Sequence, residues 1–138
     1  MYKSKQITTA YLLAGNPGVS PSLLEVLSRS NDPSVRSRVA ENTAAPVHTL
    51  VRLLKDADSE VRLSLAHNPA APSWFIEVLA ADESADVRLS LAEMHNLSEK
   101  LLEFLSRDGN PYVSHRASLT LSRIALDSLR TAAGTVAA

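Results

Sequence analysis

Apolar and polar residues recur along the chain at a fixed spacing. Val35, Val61, Val87 and Val113 each follow the one before by 26 residues. Arg36, Arg62 and Arg88 come directly after the first three, and Ala40, Ala66 and Ala92 close the same turns. A second phase of the period runs through Leu24, Leu50, Ile76 and Leu102, joined three residues on by Leu27, Leu53, Leu79 and Leu105. Each such pair is the inward stripe of a short helix. A period of this size predicts a stack of two-helix units, each burying its apolar face against its neighbours.

Polar residues punctuate the pattern. Asp32, Asp58, Ser84 and Asn110 stand before the Val-Arg helices as N-caps. Pro33 and Pro111 follow at the first helical position, which suits proline. Asn42 and Asn68 read as stop signals, and Pro21, Pro46 and Pro72 as openings of the second helix. The slot of Leu13, Val39, Leu65 and Leu91 is expected in the core.

The ends of the pattern differ from its middle. Thr9 and Ala10 replace the Val-Arg pair ahead of Leu13-Ala14-Gly15-Asn16, which makes a degenerate first unit over about residues 6–30. Regular repeats fill about residues 31–110, and a capping helix is expected over about 111–130. The tail, residues 131–138, has no periodic core face and is expected to fray. The whole chain, 1–138, reads as one domain of about nine or ten helices.

Composition narrows the chemistry. Hydrophobic residues make up 45% and aromatics only 4%, so the core is Leu, Val and Ala, which suits short packed helices. The formal net charge of −1 supplies no basic field for nucleic acid. Cys is absent, which excludes disulfides and thiolate metal sites. The first residues lack the apolar run of a signal peptide, and no run is long enough to span a bilayer, so a cytoplasmic protein without membrane partners is expected. No two of His48, His67, His95 and His115 have the close spacing common among zinc ligands. Neither a Gly-flanked serine elbow, a P-loop nor a dinucleotide fingerprint is present. No cofactor, no metal and no catalysis are expected.

The run Ala66-His67-Asn68-Pro69-Ala70-Ala71-Pro72, followed by Phe75-Ile76, Val78-Leu79, Asp82 and Val87-Arg88, resembles the leucine-rich repeat variant family. That family is a relative in form of HEAT repeats. The resemblance covers roughly residues 12–118. It implies an all-α fold, a right-handed α-solenoid of the HEAT or armadillo type built from 26-residue two-helix repeats, with one helix of each pair sometimes shortened. The iron–sulfur cluster of the founding type needs an N-terminal Cys group and does not carry over to a chain without Cys.

The HEAT pattern also suggests an Asp–Arg ladder between units. The chain itself sets the offset. Pairing within a unit would match Arg36 with Ser30 and Asp108 with Ser114, stranding both charges. Pairing each Arg with the next unit's Asp leaves none over: Arg36 with Asp56, Arg62 with Asp82, Arg88 with Asp108. These six are therefore read as structural.

In HEAT-type stacks the Val-Arg helices line the inner curve. At 100° per residue their outward positions are Ser34, Arg38 and Glu41, then Glu60, Ser64 and His67, then Asp86, Ser90 and Glu93, then Tyr112, Arg116 and Leu119. Four acids (Glu41, Glu60, Asp86, Glu93) face two bases (Arg38, Arg116). This mildly acidic face is the candidate site for a protein or peptide that is neutral or basic. Trp74 joins the candidates as an exposed aromatic, with Phe75 pointing inward. The expected function is a non-enzymatic protein-binding or scaffold module. The alternatives are a nucleic-acid-binding or HEAT-like DNA-repair protein, disfavoured by the sign of the face, and a regulator or maturation factor of an enzyme.

Overall fold

A computed structural model describes residues 7–136. Among them are nine α-helices and no strand: α1 (Thr9–Ala14), α2 (Pro21–Leu27), α3 (Pro33–Glu41), α4 (Val47–Leu53), α5 (Ser59–Ala66), α6 (Trp74–Ala80), α7 (Ala85–Ala92), α8 (Glu99–Leu105) and α9 (Pro111–Val136). The fold is all-α. It divides into two compact units, Met1–Phe75 and Ile76–Ala138.

The expected caps form. Asp32 and Asp58 accept from the N–H of Ser34 and Glu60, both at 2.9 Å, and Asn110 accepts from Tyr112 at 3.0 Å. Ser84 makes no side-chain cap bond. The prolines need a correction. Pro21 is the first residue of α2 and Ser20 is its N-cap, whereas Pro46 is itself the N-cap of α4 and α6 begins at Trp74. The N-cap residue is the one whose carbonyl takes the first helical bond. Pro46 does so from Thr49 and Leu50, Ser20 does so from Leu23 and Leu24, and Pro72 accepts from Phe75. Ser20, not Pro21, therefore shares the slot of Pro46 and Pro72.

In the first unit, α3 packs against both α1 and α5, with α2 on α3 and α4 on α5. Leu24, Val39, Leu50, Val61, Leu65 and Phe75 are fully enclosed. Leu13, at the start of its slot, is only half-buried. In the second unit α9 packs on α7 and α8, over a core of Leu79, Val87, Leu91, Leu102, Leu105, Val113 and Ala117.

The last helix exceeds its expected end at about residue 130. It continues through residues 131–136, part of the tail that is expected to fray; residues 137 and 138 lie outside the described set. Thr131 and Thr135 each return a hydroxyl bond to the carbonyl four residues back, at 2.9 and 2.8 Å. Ala132 and Ala133 favour the helix; Gly134 opposes it by about 1 kcal/mol, and Thr131 and Thr135 oppose it by less.

Candidate partner-binding face

Charged residues of the period divide into framework and surface. In the first unit Arg36 grips the Asp56 carboxylate with Nε and Nη2, at 2.7 and 2.9 Å, and donates Nη1 to the Ser30 carbonyl at 2.8 Å. In the second unit Arg88 does the same with Asp108, at 2.7 and 3.1 Å, and donates Nη1 to the Asp82 carbonyl at 2.7 Å. Both rungs have the inter-repeat offset inferred from the missing partners at Ser30 and Ser114. Arg62 is buried and donates Nη1 to the Asp56 carbonyl at 2.6 Å, the counterpart of the other two carbonyl bonds. The Asp56 carboxylate itself belongs to Arg36.

The aspartates are tuned accordingly. Burial pushes the Asp56 carboxyl up, but bonds from Arg36 and from the Asp58 N–H, with the charges of Arg36 and Arg62, hold it below its ordinary value. The Arg88 bond holds Asp108 down against burial, helped by the Asn110 N–H and the charge of Arg88. A forked guanidinium on a carboxylate is among the stronger geometries available to a side-chain pair.

A second framework element escaped the pattern reading. Asn42 and Asn68 are buried, and each donates its amide to the preceding repeat. Asn42 reaches the carbonyls of Ala14 and Asn16 at 2.8 and 3.0 Å; Asn68 reaches those of Ala40 and Asn42 at 2.7 and 3.2 Å. Each amide oxygen accepts from the N–H two residues on, Ala44 or Ala70. In the second unit Thr120 occupies the same slot and donates to the Ala92 carbonyl at 2.6 Å. The recurrence of Asn16, Asn42 and Asn68 at 26 residues was the signal.

On the first unit's candidate face, Arg38 and Glu41 lie on α3 and pair at 3.1 Å. Arg38 lies 5.1 Å from the ring centre of Tyr11. Its guanidinium also covers Gly15, leaving no room there for a Cβ unless the arginine shifts. Glu60 is exposed on α5 and has no ion pair among the described residues. His67, the C-cap of α5, is exposed with Nδ1 3.2 Å from the Leu63 carbonyl. Ser64 departs from expectation, being buried at 7% exposure with Oγ 3.4 Å from Glu41 Oε1. A short serine close to α3 is covered where a longer side chain would reach water. Trp74 is 45% exposed, packed edge-on against the enclosed Phe75, but it belongs to α6, outside the helices that carry the others.

On the second unit's face, Asp86 is exposed on α7 without an ion pair among the described residues, and Ser90 is half-buried. Glu93 is bound by Arg116 at 2.8 Å, and Tyr112 is 76% exposed. Arg38 and Arg116 thus each neutralise one of the four acids. The face's uncompensated charge reduces to Glu60 on one unit and Asp86 on the other.

The second helices also carry exposed apolar side chains, which the inward-stripe reading passed over. Val26 is one in the first unit; Val78 and Phe104 are two in the second. A concavity of 780 Å³ in the second unit opens beside Lys100, Phe104 and Arg107 and includes the Arg88–Asp108 rung, away from the candidate face residues. Among the described residues no cluster of His, Asp and Glu could hold a metal ion, and no helix is long and apolar enough to cross a membrane. Comparison with protein-family models, with curated proteins and with solved structures finds no match.

Proposed function

We propose that the chain is a non-enzymatic interaction module of the cytoplasm, an α-solenoid of 26-residue two-helix repeats of the leucine-rich repeat variant type. Its first helices offer their outward positions to a neutral or basic protein segment. One observation carries this reading. The framework bonds recur unchanged, as Arg36–Asp56 in one unit and Arg88–Asp108 in the other, while the outward positions beside them differ from repeat to repeat. A frame held constant beneath a varied surface is how repeat proteins build binding faces.

The test is capture of partners from a native lysate by the full chain, followed by reconstitution with the purified partner. Glu60→Lys and Asp86→Lys each reverse an uncompensated charge, and Glu77→Lys serves as a control on α6. Partners should survive the control and weaken with a face variant. A partner held equally by all three variants ends the reading.

A further inference from the structure

The turn after α7 and the body of α9 enclose a concavity of 220 Å³ lined by Glu93, His95, Arg116, Leu119, Thr120 and Arg123. It arises where the last unit departs from the period. α5 and α7 stop at Ala66 and Ala92, but α9 runs on past Thr120. Arg123 therefore rides on helix, whereas its equivalents Ala45, Ala71 and Leu97 lie in turns. The framework has no use for it.

Arg36 and Arg88 each grip a carboxylate. Arg123 meets none among the described residues; its Nη1 lies 3.4 Å from His95 Nε2, an imidazole nitrogen that accepts only when the ring proton is on Nδ1. Arg116 spends one nitrogen on Glu93, at 2.8 Å. Thr120 is spent, its hydroxyl donating to the carbonyl of Ala92. What remains is a concavity rich in N–H donors, with Glu93 as its carboxylate and that carboxylate already paired.

We propose that this concavity binds a phosphoryl group. Guanidinium forks match phosphate oxygens. Three nitrogen-bearing side chains around one hollow suit the three acceptor oxygens of a phosphomonoester better than the two of a carboxylate. Arg123 and the remaining donors of Arg116 are the principal ligands, and His95 joins them as a donor in the tautomer with Nε2–H, which gives up the Arg123 bond. Leu119, 48% exposed at the rim, offers apolar contact to whatever carries the phosphate.

The full chain is titrated at constant ionic strength with inorganic phosphate, O-phosphoserine and acetate, following the NMR signals of the His95 ring and the Arg123 side chain. Saturable shifts with the two phosphates and none with acetate are expected. Equal affinity for both points to a free anion, and tighter O-phosphoserine binding to a phosphorylated side chain. Arg123→Gln should weaken binding by about tenfold or more through loss of charged hydrogen bonds. His95→Gln should weaken it in the same sense, and Arg130→Gln, on the same helix outside the hollow, should leave it unchanged. Circular dichroism checks that each variant is folded. Non-saturating shifts, an equal response to acetate, or wild-type binding by Arg123→Gln overturns the proposal.

Discussion

A single buried leucine tests the period most directly. Leu65 is fully enclosed in α5, and Val39 fills the same slot in α3, also fully enclosed. Leu65→Ala is expected to cost about 2–5 kcal/mol, read as a lower urea midpoint at unchanged m; an unmoved midpoint would remove the slot from the core. Asn68 is a sharper case. Its amide satisfies the carbonyls of Ala40 and Asn42 from a buried position, so Asn68→Ala should cost about 1–3 kcal/mol. Asn68→Asp should cost more, because a carboxylate would face those carbonyls with no donor; equal losses would show that water replaces the amide. The two residues also mark what the sequence discloses. Leu65 was legible because burying one side of a short helix demands an apolar residue at a fixed phase. Asn68 was not, because asparagine at a helix end has a local explanation that hides a bond to a residue 28 positions away. Ser64 misled for a related reason: helical phase gives direction, while burial depends on how closely α3 approaches.

At the scale of elements, the Arg–Asp rungs tie neighbouring repeats. Removing either partner of Arg36–Asp56 strands the other charge in a part-buried setting. Arg36→Ala and Asp56→Ala should therefore be non-additive, with a coupling of about 0.5–3 kcal/mol. The periodicity predicts the same coupling for Arg62→Ala and Asp82→Ala. Simple additivity in either cycle would count against a ladder. Acid supplies a second test. The folded carboxyls of Asp56 and Asp108 lie below their ordinary value. The unfolded chain therefore takes up protons first, and stability rises with pH through this range. The rungs' contribution is whole above the unfolded carboxyl's value of about 3.9 and is lost as pH falls through the lower folded value. The stability gap between wild type and Asp108→Asn, measured by urea midpoints, should narrow below about pH 4; a gap constant into strong acid would refute the linkage. The offset was legible because the ladder's ends are marked by Ser30 and Ser114. The extent of α9 was not. Its last turns rest on alanine propensity, with serine and threonine hydroxyls satisfied by the carbonyls four residues back, and leave no apolar period to read.

Across the whole molecule, the period predicts helical elements, and the described residues form nine helices, but it does not show which charges those helices bring together. Counting residues makes the candidate face acidic, yet Arg38 and Arg116 cancel Glu41 and Glu93. The partners of the second pair are 23 residues apart, so no local pattern shows them. The same accounting bears on nucleic acid. Arg36 and Arg88 are committed to aspartates, Arg38 and Arg116 to glutamates, and the formal net charge is −1. Nonspecific affinity for duplex DNA comes from neutralised phosphates, each contributing about −0.9 to the slope of log K against log salt. With those four arginines committed and a net charge near zero, the chain should bind a duplex weakly or not at all near physiological salt. An occupied hollow at Arg123 would engage one phosphoryl group and add about one unit to that slope. Fluorescence anisotropy with a labelled duplex over a salt series distinguishes the cases. A micromolar or tighter complex whose slope spans several phosphates would require a continuous basic track. It would overturn the protein-partner reading while leaving a single phosphoryl site intact.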